Sequence, residues 1–226
     1  MTLSPKAKKT PYLAADAFDF YRISLYARKK MLKKLLEMAT PTPLTSVLDI
    51  GVTNDKRQAC NFFEKLYPYP HRITAVGKED PHFLKEEFPG LKIIMADGLT
   101  LPFANKSFDL AVSFAVIEHV GSREQQRRFV HELCRVGKTV CIATPNRWHP
   151  LEFHTFLPFL HWLPPLLFRS FLKLIGKKFL AQEDNLNLLT KSELFSLFPP
   201  ETRIFAKHIK FLGCTSNFVF YAITEG

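Results

Sequence analysis

The stretch Val47-Leu48-Asp49-Ile50-Gly51-Val52-Thr53-Asn54-Asp55 decides how the 226-residue chain is to be read. An apolar run reaches an acidic residue and a glycine and then turns polar. That is the pattern of a buried parallel strand breaking into a turn that opens a helix. In an open α/β sheet such a turn lies at the carboxyl edge of the strands, where ligands bind. A glycine-rich nucleotide loop would place further glycines where Thr53 and Asp55 stand, so this stretch alone does not separate a ligand loop from a plain strand and turn. Its neighbours decide between them.

Downstream, residues 55–67 read as a helix closed by Pro68 and Pro70, and residues 72–77 as a second strand. A short helix at 81–88, a third strand at 92–98, a fourth at 109–114, a helix at 123–136 and a fifth strand at 139–144 follow. Strands alternating with helices at this spacing predict a parallel sheet covered on both faces. The tail changes rhythm. Residues 190–197 form a helix with Thr190 as N-cap and Glu193 completing a capping box, and 204–211 and 217–224 make a hairpin around Gly213. Upstream, residues 19–38 repeat apolar positions at helical spacing with Arg28, Lys29, Lys30, Lys33 and Lys34 between them, and Pro41 and Pro43 end the helix. Residues 4–10 are a basic leader expected to stay mobile.

Hydrophobic residues make up 46% and charged residues 23%, which excludes a disordered chain and suits one folded domain with elaborations. We divide it into a leader and helix at 1–43 and a main domain at 44–226. A net charge of +10 draws the protein toward anionic partners without choosing among nucleic acid, phospholipid and acidic metabolites. The 22 phenylalanines exceed what such a core needs and suggest aromatic surface kept for a partner or an oily ligand. Cys60, Cys134, Cys141 and Cys214 show no paired spacing and are expected to be reduced and buried. No signal-peptide core and no long uninterrupted apolar run occur, so the expected location is cytoplasmic.

The middle of the chain carries a resemblance. VLDIG at 47–51, ADGLTLPFANKSFDLAVSFAVIEHV at 96–120 and the closing hairpin together resemble the class I S-adenosylmethionine-dependent methyltransferases of the broad type 11 group, over nearly the whole of residues 44–224. The resemblance implies a Rossmann-like, seven-stranded, mostly parallel sheet with helices on both faces and a C-terminal antiparallel hairpin, binding S-adenosylmethionine. Asp49 and Gly51 would lie under the methionine portion, with Thr53 and Asn54 alongside; Asp97 and Gly98 would meet the adenine; Ser113 and Phe114 would complete the wall. The ribose-binding acid of the family falls on Gly77, which leaves Glu79 or Asp80 as displaced substitutes.

Methyl transfer from a sulfonium needs mainly alignment of the acceptor, and a general base only where a proton must leave. His119 and His154 are the candidates for such a base, drawn from the Glu118-His119 pair and from a run holding Asn146, Arg147, His149, Glu152 and His154. No metal is expected, because the spacings between His149, His154 and His161 do not share a helical face and are broken by Pro150 and Pro158. Residues 147–189 are expected to form a helical lid insertion on the substrate side. Within it, residues 165–178 set Leu167, Phe168, Phe171, Leu174 and Ile175 on one side and Arg169, Lys173 and Lys177 on another, the pattern of an interfacial helix. The expected acceptor is therefore a small molecule or lipid-like compound, with an anionic membrane surface as a peripheral site of action. A scaffold that keeps the fold without the cofactor and a nucleic-acid methyltransferase are the alternatives, the latter ranked lower for want of an RNA-binding module. Nothing in the sequence sets the oligomeric state.

Overall fold

Five apolar runs form the parallel strands β1 (Val47–Ile50), β2 (Ile73–Gly77), β3 (Lys92–Met95), β4 (Phe108–Phe114) and β5 (Gly137–Pro145) of one sheet, in a computed structural model that describes residues 18–57 and 59–224. The tail adds β6 (Arg203–Phe211) and β7 (Cys214–Ile223), and the seven strands lie in the order β3-β2-β1-β4-β5-β7-β6. β7 runs antiparallel to both of its neighbours. The expected seven-stranded Rossmann-like sheet is thus present, with its last strand inserted one place inside the edge. Every residue of β1 and β2 is buried, as strands covered on both faces require.

Alternate residues of the strands supply two cores. On one face Val47, Ala75, Val112 and Cys141 pack beneath α1 (Phe18–Ala39), α2 (Phe62–Leu66) and α3 (His82–Glu87), through Leu35, Phe63 and Leu84. On the other, Leu48, Val76, Ala111 and Ile142 meet α4 (Arg123–Val136) through Phe129 and Leu133, and α6 (Lys191–Ser196) through Leu194. α4 starts at a Ser122/Gln125 capping box and α6 at the expected Thr190/Glu193 box, so each helix begins where two backbone donors are met by side chains.

Three readings need correction. The first helix after β1 does not run over 55–67 but only over Phe62–Leu66. Asp55 accepts from the Arg57 backbone N–H at 3.0 Å and pairs with the Arg57 guanidinium, and Asn61 takes a left-handed φ of 51°, so residues 51–57 and 59–61 stay outside any helix. The helix read at 165–178 ends as α5 (Pro165–Leu174), and its buried face is Phe168 with Leu172, four residues apart, rather than the side containing Leu167 and Leu174. These two pack with Leu180, Ala181, Leu186 and Leu188 in a satellite cluster, while Leu167 and Leu174 are exposed. Three cysteines are buried as expected, but Cys214 is exposed. The leader at 4–10 lies outside the described residues.

The loop after β1 presses on the end of β2: the backbone N–H groups of Gly51 and Val52 both donate to the Val76 carbonyl, at 2.9 and 3.3 Å. A Cβ at Gly77 would overlap the Val52 carbonyl oxygen. The residue that departs from the family pattern is therefore glycine because another backbone crosses it. Gly77→Ala should lower the melting temperature by about 2–10 °C, since overpacking of this kind costs roughly 1–3 kcal/mol. An unchanged melting curve would contradict the crossing.

Candidate functional site

The carboxyl edges of β1, β2 and β4 open into a cavity of about 730 Å³. Asp49, Gly51, Thr53, Gly77, Glu79, Asp97, Gly98, Phe114, His119 and His154 all line it, so most of the expected site residues meet at one place. Asn54 and Ser113 are not among the lining residues. Asn54 is exposed, and Ser113 is fully buried with its hydroxyl donating to the Ile50 carbonyl at 3.2 Å, which ties β4 to β1. Glu79 follows Gly77 by two residues and lines the same cavity, whereas Asp80 lies away from it, 4.0 Å from Lys85. One Asp97 oxygen accepts from the Leu99 backbone N–H at 3.0 Å, and the residue is otherwise exposed to the cavity side.

The loop over the cavity is held by Asn61, a residue the sequence reading did not single out. Its side chain accepts from the Thr53 N–H at 2.9 Å and donates to the carbonyls of Thr53 and Asp55 at 2.8 and 3.2 Å. Glu64 was also missed. It is fully buried, lines the cavity beside Asp49, and neither of its carboxylate oxygens has a hydrogen-bond partner. Burial and then the neighbouring Glu64 carboxyl raise the pKa of Asp49 well above the ordinary range, and burial raises that of Glu64, with Asp49 opposing. Two carboxyls buried side by side out of water each disfavour the other's charge, so the pair favours holding a proton. The signal was an acid inside the otherwise apolar Phe62-Phe63-Glu64, which helical spacing alone leaves unremarked.

A second cavity, of about 80 Å³, is lined by apolar side chains including Ile23, Tyr26, Met31, Phe153, Ile209 and Phe211. Arg28, Phe114, Ala115 and His154 border both cavities, so His154 stands at the neck between them. The chain leaves β4 through Ala115, whose φ of 55° turns Ile117–His119 toward this neck.

At the neck His119 Nδ1 lies 2.6 Å from the Asn185 carbonyl, which can only accept, so this nitrogen carries the proton. Burial, then the nearby His154, push the His119 pKa down to about 3. His154 Nδ1 sits 2.7 Å from Glu152 Oε1, and Glu152 Oε2 accepts from the Thr155 N–H at 2.6 Å. Burial opposes the charged ring of His154, but the Glu152 carboxylate and Glu118 hold its pKa above the usual histidine value. Burial likewise opposes the Glu152 charge, yet His154 and the Thr155 bonds bring its pKa to about 2. Glu118 accepts from the Thr144 hydroxyl at 3.0 Å through one oxygen; the other is buried without a partner, and burial raises its pKa against the pull of His154. His149 and His161 point elsewhere: His161 Nε2 donates to the His149 carbonyl at 2.8 Å, and His149 Nδ1 lies 2.9 Å from the Leu151 carbonyl. From residues 147–189, Phe153, His154 and Asp184 reach the cavities.

Residues 60–140 match the profile described as a methyltransferase domain. A segment of 38 residues is 45% identical to the tRNA (carboxymethyluridine(34)-5-O)-methyltransferase of Saccharomyces cerevisiae, spanning 17% of this chain and only 14% of that protein. An S-adenosylmethionine-dependent methyltransferase from Methanosarcina mazei superposes with a TM-score of 0.51 at 18% identity, covering 84% of this chain and 96% of its own. A protein from Pyrococcus horikoshii gives a TM-score of 0.60 at 12% identity, with 95% of each chain covered. The N-methyltransferase NodS from Bradyrhizobium japonicum, solved with S-adenosylhomocysteine, gives 0.56 at 12% identity, covering 93% of this chain and 90% of its own. A methyltransferase-domain match from α2 into β5 thus sits within a seven-stranded sheet of the same fold as these proteins.

Proposed function

We propose that the 730 Å³ cavity binds S-adenosylmethionine and that the protein transfers its methyl group to a small or lipid-like acceptor entering through the neck. The observation that carries this reading is the Asp49–Glu64 pair. Two adjacent buried carboxyls with raised pKa values, and no donor for Glu64, form a site that a cationic group would complete. The cofactor, when bound, supplies a methyl group already activated on a sulfonium, together with an α-ammonium of the charge this pair lacks. Asp97 and Glu79 offer carboxylates to the adenosine end, and Gly51, Gly77 and Gly98 leave room where a Cβ would strike Val116, Val52 or Phe129. That donor set argues against a scaffold that has shed its cofactor.

For the acceptor, the 80 Å³ cavity provides an apolar socket on the far side of Phe114 and His154. Alignment against the methyl group is then set by packing, with His154 at the neck and His119 behind it as the candidate bases. His119 is neutral at physiological pH and a weak base; His154 is bound to Glu152 and held more basic. A lipid-like acceptor is supported by the outer side of α5 and its approach. Leu166, Leu167 and Leu174 are 76%, 57% and 84% exposed, beside exposed Trp162, Lys173 and Lys178. No helix among the described residues is long and apolar enough to cross a membrane, so contact would be peripheral. A second reading, transfer to RNA, has the short tRNA-methyltransferase match and the net charge of +10 in its favour.

Calorimetric titration with S-adenosylhomocysteine should show binding that Asp97→Ala weakens by roughly 10–100-fold, the worth of a charge-assisted hydrogen bond. Binding should also release a proton from the carboxyl pair, seen as a heat that depends on the ionisation enthalpy of the buffer. No heat with the wild-type protein would remove the cofactor assignment.

The same pair sets a pH dependence for the ligand-free protein. Both folded pKa values lie above the ordinary carboxylate value of about 4, so the folded state keeps a proton that the unfolded chain has lost. That contribution is complete below about pH 4 and is lost as pH rises through the raised values. Melting temperature should therefore fall from pH 5 toward pH 8 in the wild type, and Glu64→Gln should flatten the fall and be the more stable protein at pH 8. Parallel profiles for the two would refute the retained proton.

Co-sedimentation should find the protein on phosphatidylglycerol vesicles and not on phosphatidylcholine, with Leu166→Glu plus Leu174→Glu abolishing it. Retention of tRNA that drops steeply with salt, without vesicle binding, would put the RNA reading first.

A further inference from the structure

At the neck, three side chains from two distant parts of the sequence converge. One carboxylate oxygen of Glu118 and one ring nitrogen each of His119 and His154 all lie within 4.8 Å of one another. Ligands about 2.1 Å from a common ion stand at most ~4.2 Å apart, so even a pair at the limit has to close by only about half an ångström.

Each of the three is already prepared in the way metal ligands are. His119 gives its Nδ1 proton to the Asn185 carbonyl at 2.6 Å, which fixes the ring and leaves the lone pair on Nε2. His154 is oriented through Nδ1 by the buried Glu152 at 2.7 Å, and Glu152 is itself fixed by backbone N–H groups of His154 and Thr155. A carboxylate or carbonyl behind the imidazole is the usual outer support of a metal-bound histidine. Glu118 is fully buried and has one oxygen with no partner, an expense that a cation would offset. The backbone carrying these groups is also tied down: the Glu118 carbonyl accepts from the Asn187 N–H at 2.7 Å, and the Gln126 side chain donates to the carbonyls of Ile117 and Asn187, each at 2.9 Å.

We propose that Glu118, His119 and His154 form a binding site for one divalent metal ion at the neck between the two cavities. Two imidazoles and one carboxylate suit a borderline ion such as Zn²⁺ best, and Mn²⁺, a harder ion that the carboxylate can also hold, serves as a second probe; Mg²⁺ and Ca²⁺ favour all-oxygen sites. Three protein ligands leave further coordination positions, and the cavities that His119 and His154 line give these positions an outlet. The existence of the site does not depend on the methyltransferase reading; its use does. Under that reading the ion would orient an acceptor through an oxygen, which narrows the acceptor to a hydroxyl or carboxylate compound. The expectation of no metal looked only at the spacing of His149, His154 and His161. It could not see that Glu118 and His119, at the end of β4, face His154.

The test uses the full chain without an affinity tag, stripped with a chelator and passed over a chelating resin. Mn²⁺ is titrated with its paramagnetic resonance signal as readout, and Zn²⁺ by calorimetry. One ion per chain is expected, with stoichiometric binding lost in Glu118→Gln and in His119→Ala, and affinity reduced about 10–100-fold in Glu152→Gln, which removes the charge behind His154 without removing a ligand. Circular dichroism identifies any variant that has not folded. Wild-type protein that takes up neither ion at roughly 1 mM overturns the proposal, since a site that weak would not fill. Stoichiometric binding that survives in folded Glu118→Gln and His119→Ala also overturns it, because the ion is then elsewhere. S-adenosylhomocysteine titrated into the same protein in the presence of chelator keeps the two readings apart. Its binding without metal uptake removes only the metal site; metal uptake without its binding removes only the cofactor.

Discussion

Three carboxyl groups, Asp49, Glu64 and Glu118, are buried at the carboxyl edge of the sheet, the latter two with oxygens that no donor meets, and the rest of that edge is arranged about them. Burying an ionised carboxylate is among the larger costs a fold can carry, so each group must be neutralised or paired. For Asp49 and Glu64 burial raises both pKa values toward the neutral form, and Glu118 has the Thr144 hydroxyl and the nearby His154. A protein under selection for stability alone would replace such groups with apolar residues of similar volume. Their collection around one opening marks that opening as the place where stability has been exchanged for chemistry.

The scaffold that makes this affordable is ordinary. Two apolar cores on opposite sheet faces hold β1 to β5, and the capping boxes at Ser122 and Thr190 start the helices that cover one face. Rigid strands end at a common edge, and the loops that continue from them are fixed by side chains such as Asn61 and Gln126 rather than left to vary.

Much of this was legible in the residues themselves. The strands declared themselves through apolar runs between prolines and glycines, and the order of segments placed Asp49, Asp97, Phe114 and His119 at one edge. What was hidden had physical reasons. Residues 55–61 have a helix-compatible composition, and only the Asp55–Arg57 pairing and the left-handed Asn61 show that the chain turns there. Ser113 sits at the right place in β4, but strand alternation sends it into the core. In α5 both sides are apolar, so periodicity could not choose Phe168 and Leu172 as the inner face. Glu64 and Glu152 matter through tertiary neighbours, Asp49 and His154, whose identity no local pattern announces.

The position of β7 bears on how the chain reaches this state. Its residues pair with β5 on one side and β6 on the other, Val140 with Ala222 and Ile204 with Ala222 among them. The strand that follows β1 to β6 in chain order is thus an interior one, and until it is in place β5 presents an open edge to solvent. Pairings across so many residues are slow to form. A chain with β1 to β5 formed and β7 not yet docked therefore holds an unfinished sheet whose free edge can pair with another chain.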